Sequence, residues 1–152
     1  MTLKLTSTAF AQHESIPQKY TGDGPDLSPP LQWTDPAKSA NSFALIMEDP
    51  NAPRKAWTHW VLFNLPGDVR ELPEGISGGA LPQGAVEGKN DFGKLGYGGP
   101  APPPGMPHRY HFKLYALDRA LDLPAGASKD DLRSAMKDHV LVGAELAGKY
   151  SR

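Results

Sequence analysis

Four stretches of the chain carry apolar residues in patterns that fit a β-strand. Leu3-Lys4-Leu5-Thr6 alternates weakly. Phe43-Ala44-Leu45-Ile46-Met47 is nearly continuously apolar, short for a helix, and soon followed by Pro50. Trp57 to Leu65 is rich in Trp, Thr, Val and Phe, which favour strands. Strict alternation sorts it into Trp57/His59/Val61/Phe63 and Thr58/Trp60/Leu62/Asn64, so both faces are apolar and both are expected to be buried. Arg109 to Leu117 places Tyr110/Phe112/Leu114/Ala116 on one face and Arg109/His111/Lys113/Tyr115 on the other, as an antiparallel strand lying on a core does. One segment has the period of a helix. Ser128-Lys129-Asp130-Asp131 resembles a capping box with Asp in place of Glu or Gln, and Leu132, Ala135, Met136 and His139 follow at helical spacing. This predicts a short helix over about 129–138. Val140, Val142, Ala144 and Leu146 then alternate and predict a terminal strand, although Val142 and Leu146 also fit a continued helix. Turn-rich segments separate these elements: Thr21–Pro30, Pro66–Gly79 and Gly84–Pro107. The last is long for a loop without structure of its own, and such loops are usually functional or disordered. The pattern as a whole predicts an all-β sandwich with one late helix, built as a single domain over 1–152.

Composition sharpens that reading. Gly and Pro number 16 each in 152 residues, a load that helix interiors do not tolerate, so an all-helical bundle is excluded. Lys plus Arg is 16 against 17 Asp plus Glu, a formal net charge of -1, with no basic run. No positive field is available to hold a polyanion, and nucleic acid is not expected as a partner. The absence of Cys removes disulfides, thiolate catalysis and Cys-ligated zinc. No window approaches the ~18 apolar residues needed to span a bilayer. The opening MTLKLTSTAF has no secretory apolar core, so a cytoplasmic location and no integral membrane segment are expected.

Three neighbourhoods contain residues suited to chemistry. In Glu48-Asp49-Pro50-Asn51-Ala52-Pro53 an acid ends an apolar strand and is held by two prolines, which restrict their own φ and the residue before them. Taken alone this is a turn with a solvated acid. His59, within the most apolar strand and two residues from Trp57, is on its own more often a satisfied core histidine than a ligand. In Tyr97-Gly98-Gly99-Pro100-Ala101-Pro102-Pro103-Pro104-Gly105, the glycines allow close backbone approach and the prolines stiffen the loop; a polyproline II ligand segment is the alternative. His108 and Tyr110 share a strand face beyond it, while Arg109 points away, where a structural ion pair is expected. His108 and His111 fall on opposite faces, which argues against a shared metal. His13 reads as a solvated loop residue and His139 as a core residue. Ser28 and Ser42 have no base beside them in sequence.

The order Asp-Pro-x-Ala-Pro, Trp-x-His, Gly-Pro-x-Pro-Pro, His-Arg-Tyr, together with Ser28-Pro29-Pro30-Leu31-Gln32-Trp33, resembles the phosphatidylethanolamine-binding protein family, also called the Raf kinase inhibitor protein family, in its short bacterial form. The resemblance covers nearly the whole chain. It implies a Greek-key antiparallel β-sandwich with one or two short helices and a small anion pocket at one end. The family's pocket positions fall on Asp49, Trp57, His59, Gly99, Pro100, His108 and Tyr110, with no metal and no cofactor. It also implies a cis Ala52–Pro53 peptide and a homodimer, for which apolar residues on both faces of Trp57–Leu65 offer a surface. Two positions depart from the pattern: Asn51 stands where a second Asp is usual, and Asp26 where bacterial members often have Asn.

Those residue types suit anion binding. An imidazolium held by Asp49, at His59 or His108, would join a tyrosine hydroxyl and backbone N–H groups as donors to a phosphate or phospholipid head group. Trp57 would supply an apolar wall or a face for a cationic head group. The leading expectation is therefore a binding or regulatory module for a small anion or phospho-ligand. Regulation of a kinase or other partner protein follows by analogy alone. The alternative is a hydrolase or phosphate-transfer enzyme using Asp49 with His59 or His108 as acid and base. A third reading is a structural interaction domain with a vestigial pocket. The sequence shows no nucleophile motif, P-loop or metal framework, which favours binding over turnover.

Overall fold

Apolar residues at alternating positions of two long central strands decide the layering. The computed structural model describes residues 3–34, 40–52 and 55–152. Its elements are β1 (Leu5–Thr6), β2 (Leu31–Trp33), β3 (Ser42–Asp49), β4 (Trp57–Pro66), β5 (Glu71–Leu72), β6 (Val86–Glu87), β7 (His108–Leu117), α1 (Lys129–Met136) and β8 (Val140–Tyr150), with one 3-10 turn at Gln18–Tyr20. They form two antiparallel sheets, a small one ordered β1-β2-β5 and a five-stranded one ordered β6-β4-β3-β7-β8. The fold is the expected all-β sandwich, with β3 paired to the distant β7 across a crossing connection. No helix among the described residues is long and apolar enough to cross a membrane.

Both faces of the larger sheet are covered along its central strands β3 and β4. On the inner face Phe43, Leu45 and Met47 pack with Trp60, Leu62, Phe112, Leu114 and Leu146 against Leu5, Leu31, Trp33 and Leu72 of the small sheet. On the outer face Ala44, Ile46, Val61 and Phe63 pack under Leu132 and Met136 of α1 and under Leu121 and Ala127. Burial of each large side chain contributes about 1.5–3 kcal/mol, which is what holds the layers. Val61 and Phe63 are wholly buried within one chain, so β4 has no bare apolar face to offer a second copy.

Strict alternation mis-sorts β4. Met47 pairs with Trp60 but Glu48 with Thr58, so His59 is an extra residue in a β-bulge. A second shift lies between Phe43/Leu65 and Leu45/Leu62 and is accommodated by Asn64 at φ 59. The first bulge brings His59 to the same side as Trp57, Trp60 and Leu62, leaving Val61 and Phe63 outside. β7 alternates as its sequence predicts.

The capping box forms as expected, with Ser128 Oγ accepting from Asp131 N–H and the Asp131 carboxylate accepting from Ser128 N–H. The helix ends at Met136, two residues early, because Asp138 adopts φ 70 and turns the chain into β8. His139 is half-buried rather than in the core; its Nδ1 lies 3.0 Å from the Asp118 carboxylate. Residues 84–107 are ordered by side-chain hydrogen bonds to backbone and to other side chains. Asn90 accepts from Phe92 and Lys94 N–H and donates to Gly96 O, and Glu87 accepts from Trp60 Nε1, Ser77 Oγ and Gly78 N. The expected cis Ala52–Pro53 peptide involves Pro53, which lies outside the described residues.

Candidate anion-binding site

Asp49 ends β3 on the inner face and is 4% exposed. Both its carboxylate oxygens are engaged: Oδ1 accepts from Asn51 N–H at 2.8 Å, and Oδ2 lies 2.6 Å from His108 Nδ1 on β7. A carboxylate can only accept here, so His108 Nδ1 carries a hydrogen. His59 on β4 is 3% exposed, and its Nδ1 lies 2.6 Å from the Gly98 carbonyl. Gly98 N–H donates back to His59 O at 2.9 Å, so two bonds clamp ring and loop together. The ring sits edge-on to Tyr110 at 5.2 Å and to Phe92 at 5.4 Å between centroids. Burial holds its pKa below the ordinary imidazole value, outweighing the opposing pull of Gly98 O and the Asp49 carboxylate. Burial, with the Asp49 charge beside it, pushes the Tyr110 phenol far up, so it remains an O–H donor. Asp49, Trp57, His59, His108 and Tyr110 line one cavity of about 200 Å³, completed by Ala52, Phe92 and the Ala101-Pro102-Pro103 wall.

Gly99 and Pro100 lie behind that wall. Gly99 N–H donates to Asp26 Oδ1 at 2.9 Å, and Pro100 O accepts from Gly22 N–H at 2.9 Å. A Cβ at Gly99 would collide with Asp26 Oδ1 and Tyr20 O, and one at Gly98 would come within 2.5 Å of the Phe92 ring. The two glycines are therefore what lets the loop lie this close to the core. Asp26 is at φ 60, and burial raises its carboxyl pKa even though the Gly99 bond and the nearby His59 act the other way.

A family model for phosphatidylethanolamine-binding protein matches residues 6–151. The chain belongs to the phosphatidylethanolamine-binding protein family. It is 52% identical to a UPF0098 protein of Methanothermobacter thermautotrophicus over 99% of both chains. Among solved structures it resembles a phosphatidylethanolamine-binding protein homolog from Chlamydia trachomatis, at 40% identity and TM-score 0.92, covering 99% of this chain and 98% of that one. It also resembles E. coli YbcL, described as a member of the mammalian family, at 32% identity and TM-score 0.94, covering 100% and 99%.

Within this family member the departure at Asn51 has a visible consequence. Its side-chain carbonyl accepts from Arg109 N–H at 3.4 Å and ties the β3 turn to β7, a job an amide oxygen does as well as a carboxylate. Arg109 itself is exposed, and no ion pair engages it among the described residues. His111 is on the opposite face from His108, its Nδ1 3.2 Å from the Glu145 carboxylate in a geometry that makes no hydrogen bond. Ser28 Oγ accepts from Ser77 N–H and Ser42 Oγ donates to Arg119 O, so neither hydroxyl is paired with a histidine. Phe92 escaped sequence reasoning, and of the Tyr97–Gly105 loop it is Ala101, Pro102 and Pro103, rather than Gly99 and Pro100, that line the cavity. Phe92 carries no periodicity signal, and it reaches the cavity because Asn90 curls the loop and Asp91 Oδ2 accepts from Thr58 N–H.

Proposed function

We propose that the chain is a binding module whose Asp49–His59–His108–Tyr110 cavity takes a small oxyanion, phosphate or a phospho-head-group, and in doing so regulates a partner protein. One observation carries the reading: both histidines give their Nδ1 to fixed protein acceptors, leaving Nε2 of each for a ligand, next to a phenol that remains protonated. Trp57 and Phe92, edge-on at 5.6 Å, form an apolar rim suited to the carbon part of a head group. A kinase as the partner is carried over by analogy alone. The backbone-engaged serines support binding over hydrolysis.

Calorimetry with phosphoethanolamine tests the reading. Wild type should bind, and His108→Ala should lose at least about tenfold in affinity, the equivalent of one charge-assisted hydrogen bond. Arg109→Gln, exposed and facing away from the cavity, should bind as wild type does. Equal affinity in wild type and His108→Ala would refute the assignment.

A further inference from the structure

The two histidines are not equivalent, and the difference bears on which protonation state of a ligand fits. This inference rests on the binding role proposed above. A carbonyl oxygen can only accept, so the 2.6 Å contact with Gly98 O places a hydrogen on His59 Nδ1. Among the described residues the Gly98 contact is the ring's one hydrogen bond of ordinary geometry, with the Gly99 carbonyl also close by, and Nε2 then bears a lone pair whenever the ring is neutral. The ring is kept neutral by its position. It is 3% exposed and packed between the edges of Tyr110 and Phe92. The titratable groups around it are Asp49 on β3, His108 and Tyr110 on β7, and Asp26 on the loop before β2. Burial is the largest effect; the Gly98 carbonyl, the Asp49 carboxylate, the Gly99 carbonyl and the Asp26 carboxylate all pull toward the cation and together do not reverse it. Asp49 has both oxygens occupied and offers a ligand little.

The cavity thus presents an acceptor, His59 Nε2, beside the donor hydroxyl of Tyr110; His108, whose Nδ1 hydrogen is given to Asp49, donates from Nε2 only when its ring is charged and otherwise presents a second lone pair. A fully deprotonated oxyanion would set a lone pair against a lone pair at His59. An oxyanion that still carries a hydrogen would donate it there while accepting from the Tyr110 hydroxyl. We propose that this cavity selects oxyanions in their hydrogen-bearing state, such as a phosphomonoester monoanion, with the proton held between a ligand oxygen and His59 Nε2. Sulfate, which has the same shape and no proton to give near neutrality, is then discriminated against.

Calorimetry with phosphoethanolamine, inorganic phosphate and sulfate across about pH 5 to 8.5 tests this, since a phosphomonoester loses its second proton near about pH 6 and inorganic phosphate loses it higher. Affinity for each phospho-ligand should fall with a midpoint that follows that ligand's own titration. Sulfate at neutral pH should bind at least about tenfold more weakly than phosphate. Nitrogen-15 imidazole spectra of the free protein at neutral pH should show His59 protonated on Nδ1 and bare on Nε2. A common midpoint for both phospho-ligands would overturn the proposal and assign the pH dependence to a histidine instead. Sulfate binding as tightly as phosphate, or Nε2 protonated in the free protein, would also overturn it. If none of the three binds at any pH, the binding role itself falls, and the proposal with it.

Discussion

His59 shows how much one residue's setting depends on where the chain puts it. Exposed, it would titrate near about 6.5; buried and clamped to Gly98, it is held below that. The unfolded chain takes up a proton at the ordinary value and the folded protein only at lower pH. The stability due to the neutral ring is therefore complete above about 6.5 and is lost as pH falls toward the folded value. His59→Asn supplies an amide N–H near the Nδ1 position without a titrating group. In urea unfolding between about pH 8 and 5, wild type should lose stability relative to His59→Asn as pH drops through that window. Parallel curves would show that the ring is not held neutral.

At the scale of an element, α1 is docked by charge as well as by its apolar stripe. Glu48 lies on β3, 5% exposed, with Lys113 at 3.3 Å, Lys129 at 3.2 Å and Arg133 at 3.3 Å. Burial on its own would raise the Glu48 pKa, and the charges of Lys129 and Lys113 more than reverse this, leaving it below the ordinary value. A depressed carboxyl contributes stability above the unfolded value of about 4.3, lost as pH falls through the folded one. The three cations are partly exposed and screened, so Glu48→Gln should cost about 1–3 kcal/mol rather than the larger penalty of a fully buried pair. Hydrogen exchange should show α1 amides opening more readily in the variant while β3 and β7 keep their protection. An unchanged α1 would mean that Leu132 and Met136 alone hold the helix.

The whole molecule assembles the cavity from parts far apart in sequence. Asp49 and His108 are brought together by the β3–β7 pairing, and His59 is added by the β4 bulge. The loop wall is held from behind by the 20–26 turn through Gly22–Pro100 and Asp26–Gly99 bonds. Gly99→Ala would force the loop off Asp26 and Tyr20, so affinity for phosphoethanolamine should fall at least about tenfold while the far-ultraviolet circular dichroism stays that of a β-sandwich. Undiminished affinity would mean that the wall can shift without loss. Because both faces of β4 are covered within one chain, a homodimer would have to be built on some other surface.

What the sequence determined by itself is what depends on near neighbours. The alternation of β7, the capping box at Ser128, the strand from Val140 and the turn that pins Asp49 all follow from residues a few positions apart. The strict order of acids, histidines and prolines also carried the family resemblance, and the seven residues it pointed to include five that meet in one cavity. Tertiary structure decided the rest. The face on which His59 lies is set by a bulge defined against β3, because a strand's side-chain period shifts whenever its partner lacks a matching residue. Which histidine Asp49 takes is set by strand register, and Phe92 joins the cavity through a loop whose bonds reach across to Thr58. None of these has a local sequence signal, since each is a contact between segments tens of residues apart whose stability comes from packing rather than from propensity.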